Sequence, residues 1–274
     1  MLLALNVNNT NTVIAIYPMH NGRAGQLRST WRISSRQAQT ADEYGILVRN
    51  LLQGEGIGSK DITGIVIASV VPPMDWILRQ FCERYFSQKP LFIEPGVKTG
   101  MPVRTDNPVE VGADRIANCV GAFEQYGGPC IVVDFGTATN FDVVSAKGEF
   151  LGGAIAPGLM ISAEALFARA ARLPRVEIRR PVKAIGTSTV DNLQIGLFYG
   201  HIGLVDSILE RMIGELGQET ICVATGGLSH LIAGDSKYIA HINDTLTLEG
   251  LRIIYERHRS ARTRSHTDDS AAKA

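Results

Sequence analysis

Two stretches of the chain share one pattern of apolar and polar positions. Residues 2–17, LLALNVNNTNTVIAIY, form an apolar run, a polar turn and a second apolar run, which predicts two strands joined as a hairpin. Residues 130–144, CIVVDFGTATNFDVV, repeat the shape. In both, four apolar residues reach a polar one (Asn6 or Asp134), followed by an apolar residue, a turn former (Asn8 or Gly136), hydroxyl and amide residues, and apolar residues again. Asp134 lies 128 positions after Asn6. That spacing is far longer than a solenoid period of about 20–50 residues. It predicts two similar domains, each presenting a strand-turn-strand to a common cleft.

Between the hairpins, Tyr44, Leu47, Val48, Leu51 and Leu52 fall at helical spacing within residues 40–56, and Thr40 with Glu43 forms a capping-box pattern. GIVIASVVPP (64–73) predicts a buried strand ended by prolines, and MDWILRQFCERYF (74–86) a helix. Further helices are expected after 158, over 192–216 and over 244–257, with ICVATGG (221–227) a strand ending in a glycine pair. Alternating strands and helices imply an α/β fold with mixed sheets flanked by helices. The expected organisation is a first domain over 1–118, a second over 119–258 and a polar, small-residue tail over 259–274, which is expected to be disordered.

Composition narrows the function classes. Of 274 residues, 27 are Lys or Arg and 27 Asp or Glu, so the chain lacks the basic excess that binding a phosphate backbone requires. Hydrophobic residues at 45% and charged residues at 20% suit an ordinary globular core. Cys82, Cys119, Cys130 and Cys222 are widely spaced, with no C-x-x-C pair, which predicts a reduced, cytoplasmic chain without structural zinc. Asn6 interrupts the first apolar run too early for a secretion signal, and ITGIVIASVV (62–71) is shorter than the roughly 20 residues of a membrane helix.

A single Asn-rich turn is ordinary hairpin chemistry, because Asn tolerates positive φ. Two copies in register, the second with Asp134 closing an apolar strand, point instead to a ligand held by backbone N–H groups and small polar side chains, as anions are. The double hairpin resembles the phosphate loops of the actin-like ATPase superfamily, and VATGG (223–227) is similar to its adenosine-side motif. Finer matches are NPVEVGADRIAN (107–118), VDFGTATNFD (133–142), LGGAIAPGL (151–159) and LTLEGLRIIYER (246–257), with WRISSRQAQTADEYG (31–45) and SVVPP (69–73) in the same order. Together they resemble the type III pantothenate kinases from residue 1 to about 258.

The resemblance implies two actin-like domains and ATP-dependent phosphorylation of pantothenate to 4'-phosphopantothenate, the committed step toward coenzyme A. It also implies a homodimer that uses Mg²⁺ and a monovalent cation, K⁺ or NH₄⁺. ATP would be gripped by Asn6, Val7, Asn8 and Asn9, by Thr10, Asn11, Thr12 and Val13, by Thr137, and by Gly226 and Gly227. Asp134 would hold the monovalent cation. Gly112, Ala113, Asp114 and Arg115 stand where a loop becomes a helix, so N–H groups and the helix dipole face an anion there. Arg115 would hold the pantothenate carboxylate and Asp114 would accept the attacking hydroxyl's proton. A first-turn helix carboxylate is the ordinary alternative for Asp114. The adjacent guanidinium is expected to lower its pKa, leaving it mainly to orient the hydroxyl, which suffices where positioning dominates. Thr189 would reach pantothenate from the partner subunit, although its position also suits the N-cap of the following helix.

The first loop departs from the family's D-x-G-N-T. Asn8 replaces Gly, a mild change if the position is left-handed. Asn6 replaces Asp, which removes a charge from the Mg²⁺ site, and losing one such group typically costs roughly a hundred- to thousandfold in rate. Asn140 stands for a common threonine and Thr105 for a tyrosine near pantothenate. Asn6 also motivates a rival reading, an impaired paralogue that binds nucleotide or pantothenate as a regulator.

Overall fold

The computed structural model describes residues 1–20 and 22–271, with side chains through Ala261. In the first half, β1 (Leu2–Val7) and β2 (Asn11–Tyr17) form the expected hairpin, followed by a small ribbon of β3 (Met19–His20) and β4 (Arg23–Ala24), and by β5 (Ser29–Ser34). Helix α1 (Ala41–Gly54), β6 (Gly64–Ser69), α2 (Pro72–Phe86), β7 (Leu91–Phe92) and α3 (Ala113–Tyr126) complete it. The sheet order is β5-β2-β1-β6-β7, with β1 antiparallel to β2 and parallel to β6. All six residues of β1 are buried, as its continuous apolar run requires of a central strand, whereas β5 alternates between half-buried and exposed positions at the edge.

Thr40 and Glu43 form the predicted capping box at the start of α1. Tyr44, Val48 and Leu52 from α1 join Leu78 and Phe81 from α2 and Leu3, Leu5 and Ile14 from the sheet in one core. Pro72 and Pro73 begin α2 instead of only ending the strand before it. Proline's missing N–H has no partner to lose in a first helical turn.

The second half repeats the plan with β8 (Cys130–Phe135), β9 (Ala138–Val144), β10 (Phe150–Pro157), α4 (Leu159–Arg169), α5 (Thr189–Leu216), β11 (Ile221–Thr225), α6 (Ser229–Ile232) and β12 (Ile239–Ile242). Its order, β10-β9-β8-β11-β12, matches the first sheet strand for strand, with β8 antiparallel to β9 and parallel to β11. Ile131, Val133 and Phe141 from this sheet pack with Phe198, Ile202, Val205 and Leu209 of α5. The duplication read from the two hairpins thus extends to whole sheets, and the fold is the α/β class expected.

The chain divides into two compact units, one of Met1–Pro102, Asp106–Gly121 and Thr247–Ala274, the other of Val103–Thr105 and Ala122–Leu246. The last helix, α7 (Leu246–Ala271), therefore belongs by its contacts to the first unit, where Thr247 Oγ1 donates to Asn118 Oδ1 at 2.5 Å. It is helical through most of the stretch whose composition suggested a disordered tail, of which residues 272–274 lie outside the described residues. Among the described residues, no helix is long and apolar enough to cross a membrane.

Candidate active site

In the first unit, parallel strands β1 and β6 end side by side, with Asn6 opposite Ala68 and Val7 opposite Ser69. The C-terminal ends of parallel strands are where α/β sheets bind ligands. The turn after β1 is closed by the Asn8 N–H donating to the Asn11 carbonyl at 3.0 Å, and by the Ser35 N–H donating to the Thr10 carbonyl at 3.0 Å. Asn9 and Thr10 are exposed at its tip. Val7 and Thr12 are fully buried, so they support the turn from behind, and the Val7 carbonyl accepts from the Val70 N–H at 3.0 Å. Among the described residues, Ser87 is the one non-glycine with positive φ. Asn8 is therefore not left-handed, and its replacement of glycine carries no backbone strain.

Two buried oxygens at this strand end, Asn6 Oδ1 and Asn8 Oδ1, have no hydrogen-bond partner within the protein. Buried acceptors left in this state are costly, so the two oxygens are candidate contacts for a bound group.

Helix α3 begins at Ala113, placing the N–H groups of the GADR segment at its positive end. The Arg115 N–H donates to Asp114 Oδ1 at 2.8 Å, and the Ile116 N–H to the Gly112 carbonyl at 3.2 Å. Gly112 itself packs against Val70, the residue just after β6. The structure thus brings Gly112 and Asp114 to the strand ends that carry Asn6. Some of the Asp114 side chain reaches solvent, yet desolvation is the largest influence and raises its pKa; the hydrogen bond from the Arg115 N–H and that residue's charge lower it by less. This corrects the expectation of a lowered value: burial outweighs the neighbouring guanidinium, and Asp114 is a stronger base than its sequence neighbour suggested.

In the second unit the corresponding turn spans Gly136–Ala138, with the Gly136 N–H donating to the Ala138 carbonyl at 3.0 Å. Thr137 is exposed at its tip and Asp134 half-buried at the end of β8. Two glycines back this turn closely. A Cβ on Gly158 would lie 2.7 Å from the Gly136 carbonyl oxygen and closer still to that of Thr137, to which Gly158 donates its N–H at 3.2 Å. A Cβ on Gly226, whose φ is +93°, would lie 2.5 Å from Asp134 Oδ1 and 2.7 Å from the Phe135 N. Gly226, the first of the glycine pair after β11, is thus brought against Asp134.

Gly158 carries no signal of this task within LGGAIAPGL, and two supports behind the turns carry none either. Thr12 Oγ1 lies 2.9 Å from Ser35 Oγ and 3.0 Å from Tyr44 Oη, and Thr139 Oγ1 lies 3.1 Å from His201 Nε2. Desolvation raises the Tyr44 pKa and lowers that of His201, so both groups are held neutral. Tyr44 was legible only as an apolar-face residue and His201 carried no signal. Thr189 is exposed in the first turn of α5, and the N-cap is Ser188, whose Oγ accepts from the Asp191 N–H at 3.1 Å. Thr105 Oγ1 in the second unit is another buried oxygen without a protein partner.

The type III pantothenate kinase family model matches residues 2–211. The chain belongs to the type III pantothenate kinase family. Relatives named type III pantothenate kinase include one from Acidobacterium capsulatum, 73% identical over 97% of this chain and 98% of its own, and one from Koribacter versatilis, 61% identical over 97% and 99%. Among solved structures, the activator of the 2-hydroxyisocaproyl-CoA dehydratase from Clostridium difficile with bound ADPNP superposes with a TM-score of 0.53, covering 97% of each chain at 13% identity. That likeness shows the fold alone, in agreement with the actin-like α/β architecture of this pantothenate kinase family member.

Proposed function

We propose that this chain transfers the γ-phosphoryl group of ATP to the hydroxyl of pantothenate, giving 4'-phosphopantothenate and ADP, with Asp114 as the base. The observation that carries the reading is a desolvated carboxylate, Asp114, at the start of α3 beside the ends of β1 and β6, in a chain of this family. Asp114 takes the hydroxyl proton as the oxygen–phosphorus bond forms and ADP leaves, and Arg115 pairs with the pantothenate carboxylate beside the N–H groups of Gly112 and Ala113. The ATP phosphates are met by Asn8, Asn9, Thr10 and Thr137, and its adenosine side by Gly226 and Gly227. The buried Thr105 hydroxyl is a further donor available to pantothenate.

The residues fit a cation-dependent reaction. Mg²⁺ in such reactions is carried mostly by phosphates and water, with few protein ligands. Asn6, through its unpartnered carbonyl oxygen, would hold that ion's hydration shell, and Asp134 would hold K⁺ or NH₄⁺. Bound there, the cations neutralise charge on the transferring phosphoryl group.

The working form is a cytoplasmic homodimer in which Thr189 reaches the partner's pantothenate. Exposed Met160, Ile161 and Leu166 on α4, with Val190 and Tyr199 on α5, offer apolar surface for a partner, and the four buried thiols suit a reducing compartment.

ADP release measured with ATP, Mg²⁺, K⁺ and pantothenate tests the reading. Pantothenate-dependent release is expected; equal or better turnover of acetate or a sugar contradicts the substrate. If the natural chain were inert and Asn6→Asp active, the regulator reading would hold instead.

A further inference from the structure

Each turn is held from behind by a side chain on a helix, and the two arrangements coincide in register. Thr12 on β2 stands opposite Val7, the residue after Asn6. Thr139 on β9 stands opposite Phe135, the residue after Asp134. Both threonines are almost wholly buried, at 0% and 1% exposure, so their hydroxyls are turned away from any ligand at the turn tips. The first hydroxyl meets Tyr44 of α1 at 3.0 Å and the second meets His201 of α5 at 3.1 Å. The two partners are chemically unrelated, yet each is the neutral polar group that a helix packed on the sheet offers to the same strand position.

The connection to each turn is short. Ser35, which shares the Thr12 hydroxyl, donates its N–H to the Thr10 carbonyl at the turn tip. Thr139 directly follows Ala138, whose carbonyl accepts the Gly136 N–H, and the His201 ring lies 6.1 Å from that of Phe135 on the opposite strand. We infer that Tyr44 and His201 are positioning residues, one for each turn, that fix the strand ends from which the backbone N–H groups meet the nucleotide's phosphates. The inference rests on the proposed nucleotide site, and it explains why a tyrosine hydroxyl on α1 and a histidine ring on α5 are buried against the sheets. A satisfied buried hydrogen bond rigidifies what it joins, and its loss is felt at the turn.

Tyr44→Phe and His201→Leu test this, with His201→Gln as the conservative variant that keeps a polar group at the same reach. Each removal is expected to raise the KM for ATP about three- to tenfold, the ordinary worth of one buried hydrogen bond. The KM for pantothenate should change little, and His201→Gln should recover most of the loss. Hydrogen exchange supplies a readout that needs no turnover: Tyr44→Phe should speed exchange at residues 8–11 alone, and His201→Leu at 136–138 alone. If His201→Leu does not fold, Thr139→Val asks the same question from the other side of the bond. Unchanged exchange at the turns, or equal rises in both KM values, overturns the inference. A natural chain without pantothenate-dependent turnover would overturn the kinase reading alone, and the exchange pattern would still decide this one.

Discussion

Asp114 shows how burial changes what a residue's sequence neighbours imply. Arg115 beside it predicts a weak, ionised carboxylate, but desolvation raises the pKa and leaves a stronger base. Two results follow for Asp114→Asn. Turnover should fall at least about a hundredfold, the usual worth of such a base, while nucleotide affinity is nearly kept. The sign of the stability effect is opposite. A carboxyl whose folded pKa lies above its unfolded value loses stability as pH rises through the folded value, because ionisation is penalised only in the fold. Removing the charge should therefore raise the thermal midpoint at pH 7, as calorimetry would read. For the natural enzyme, the acidic limb of kcat/KM should lie above the ordinary carboxylate range, since the base must be ionised to act. A limb near pH 4 would remove Asp114 from the role. What sequence supplied here was the position of the residue at a helix start; its burial comes from packing in the assembled fold, which no local pattern encodes.

Among the elements, those with a local cause were the most legible. The capping box at Thr40 and Glu43 set the start of α1, and Thr40→Ala should cost about 1 kcal/mol, seen as a lower urea midpoint with unchanged slope. The fully apolar β1 and the hairpins were equally plain, because a buried strand needs a continuous apolar run. Elements set by choices among similar neighbours were less so. Ser188 caps α5 where Thr189 was the candidate, since both hydroxyls have capping chemistry and only backbone conformation separates them. Helix α7 passes through residues whose polar composition suggested a tail, because a polar run can be helical as well as irregular. The hydrogen bonds of Thr12 and Thr139 to Tyr44 and His201 span 32 and 62 residues, and such pairings arise only once the sheets are assembled.

At the scale of the molecule, the repeat of a short polar turn gave away a duplication of two entire sheets with the same strand order. The chemistry of a phosphate-gripping turn is local, so it survives as a sequence pattern, whereas the surrounding strands need only be apolar and retain little likeness. Assignment of the last helix to the first unit was not legible, because its Thr247 contact to Asn118 joins residues far apart in the chain. The family match supplies a substrate that neither sheet order nor turn chemistry names. The central proposal is that each turn meets the nucleotide. Hydrogen exchange with and without a non-hydrolysable ATP analogue and Mg²⁺ tests it most directly. Slower exchange at both 8–11 and 136–138 on adding the analogue is the expected result, and slowing at only one turn, or at neither, would contradict it.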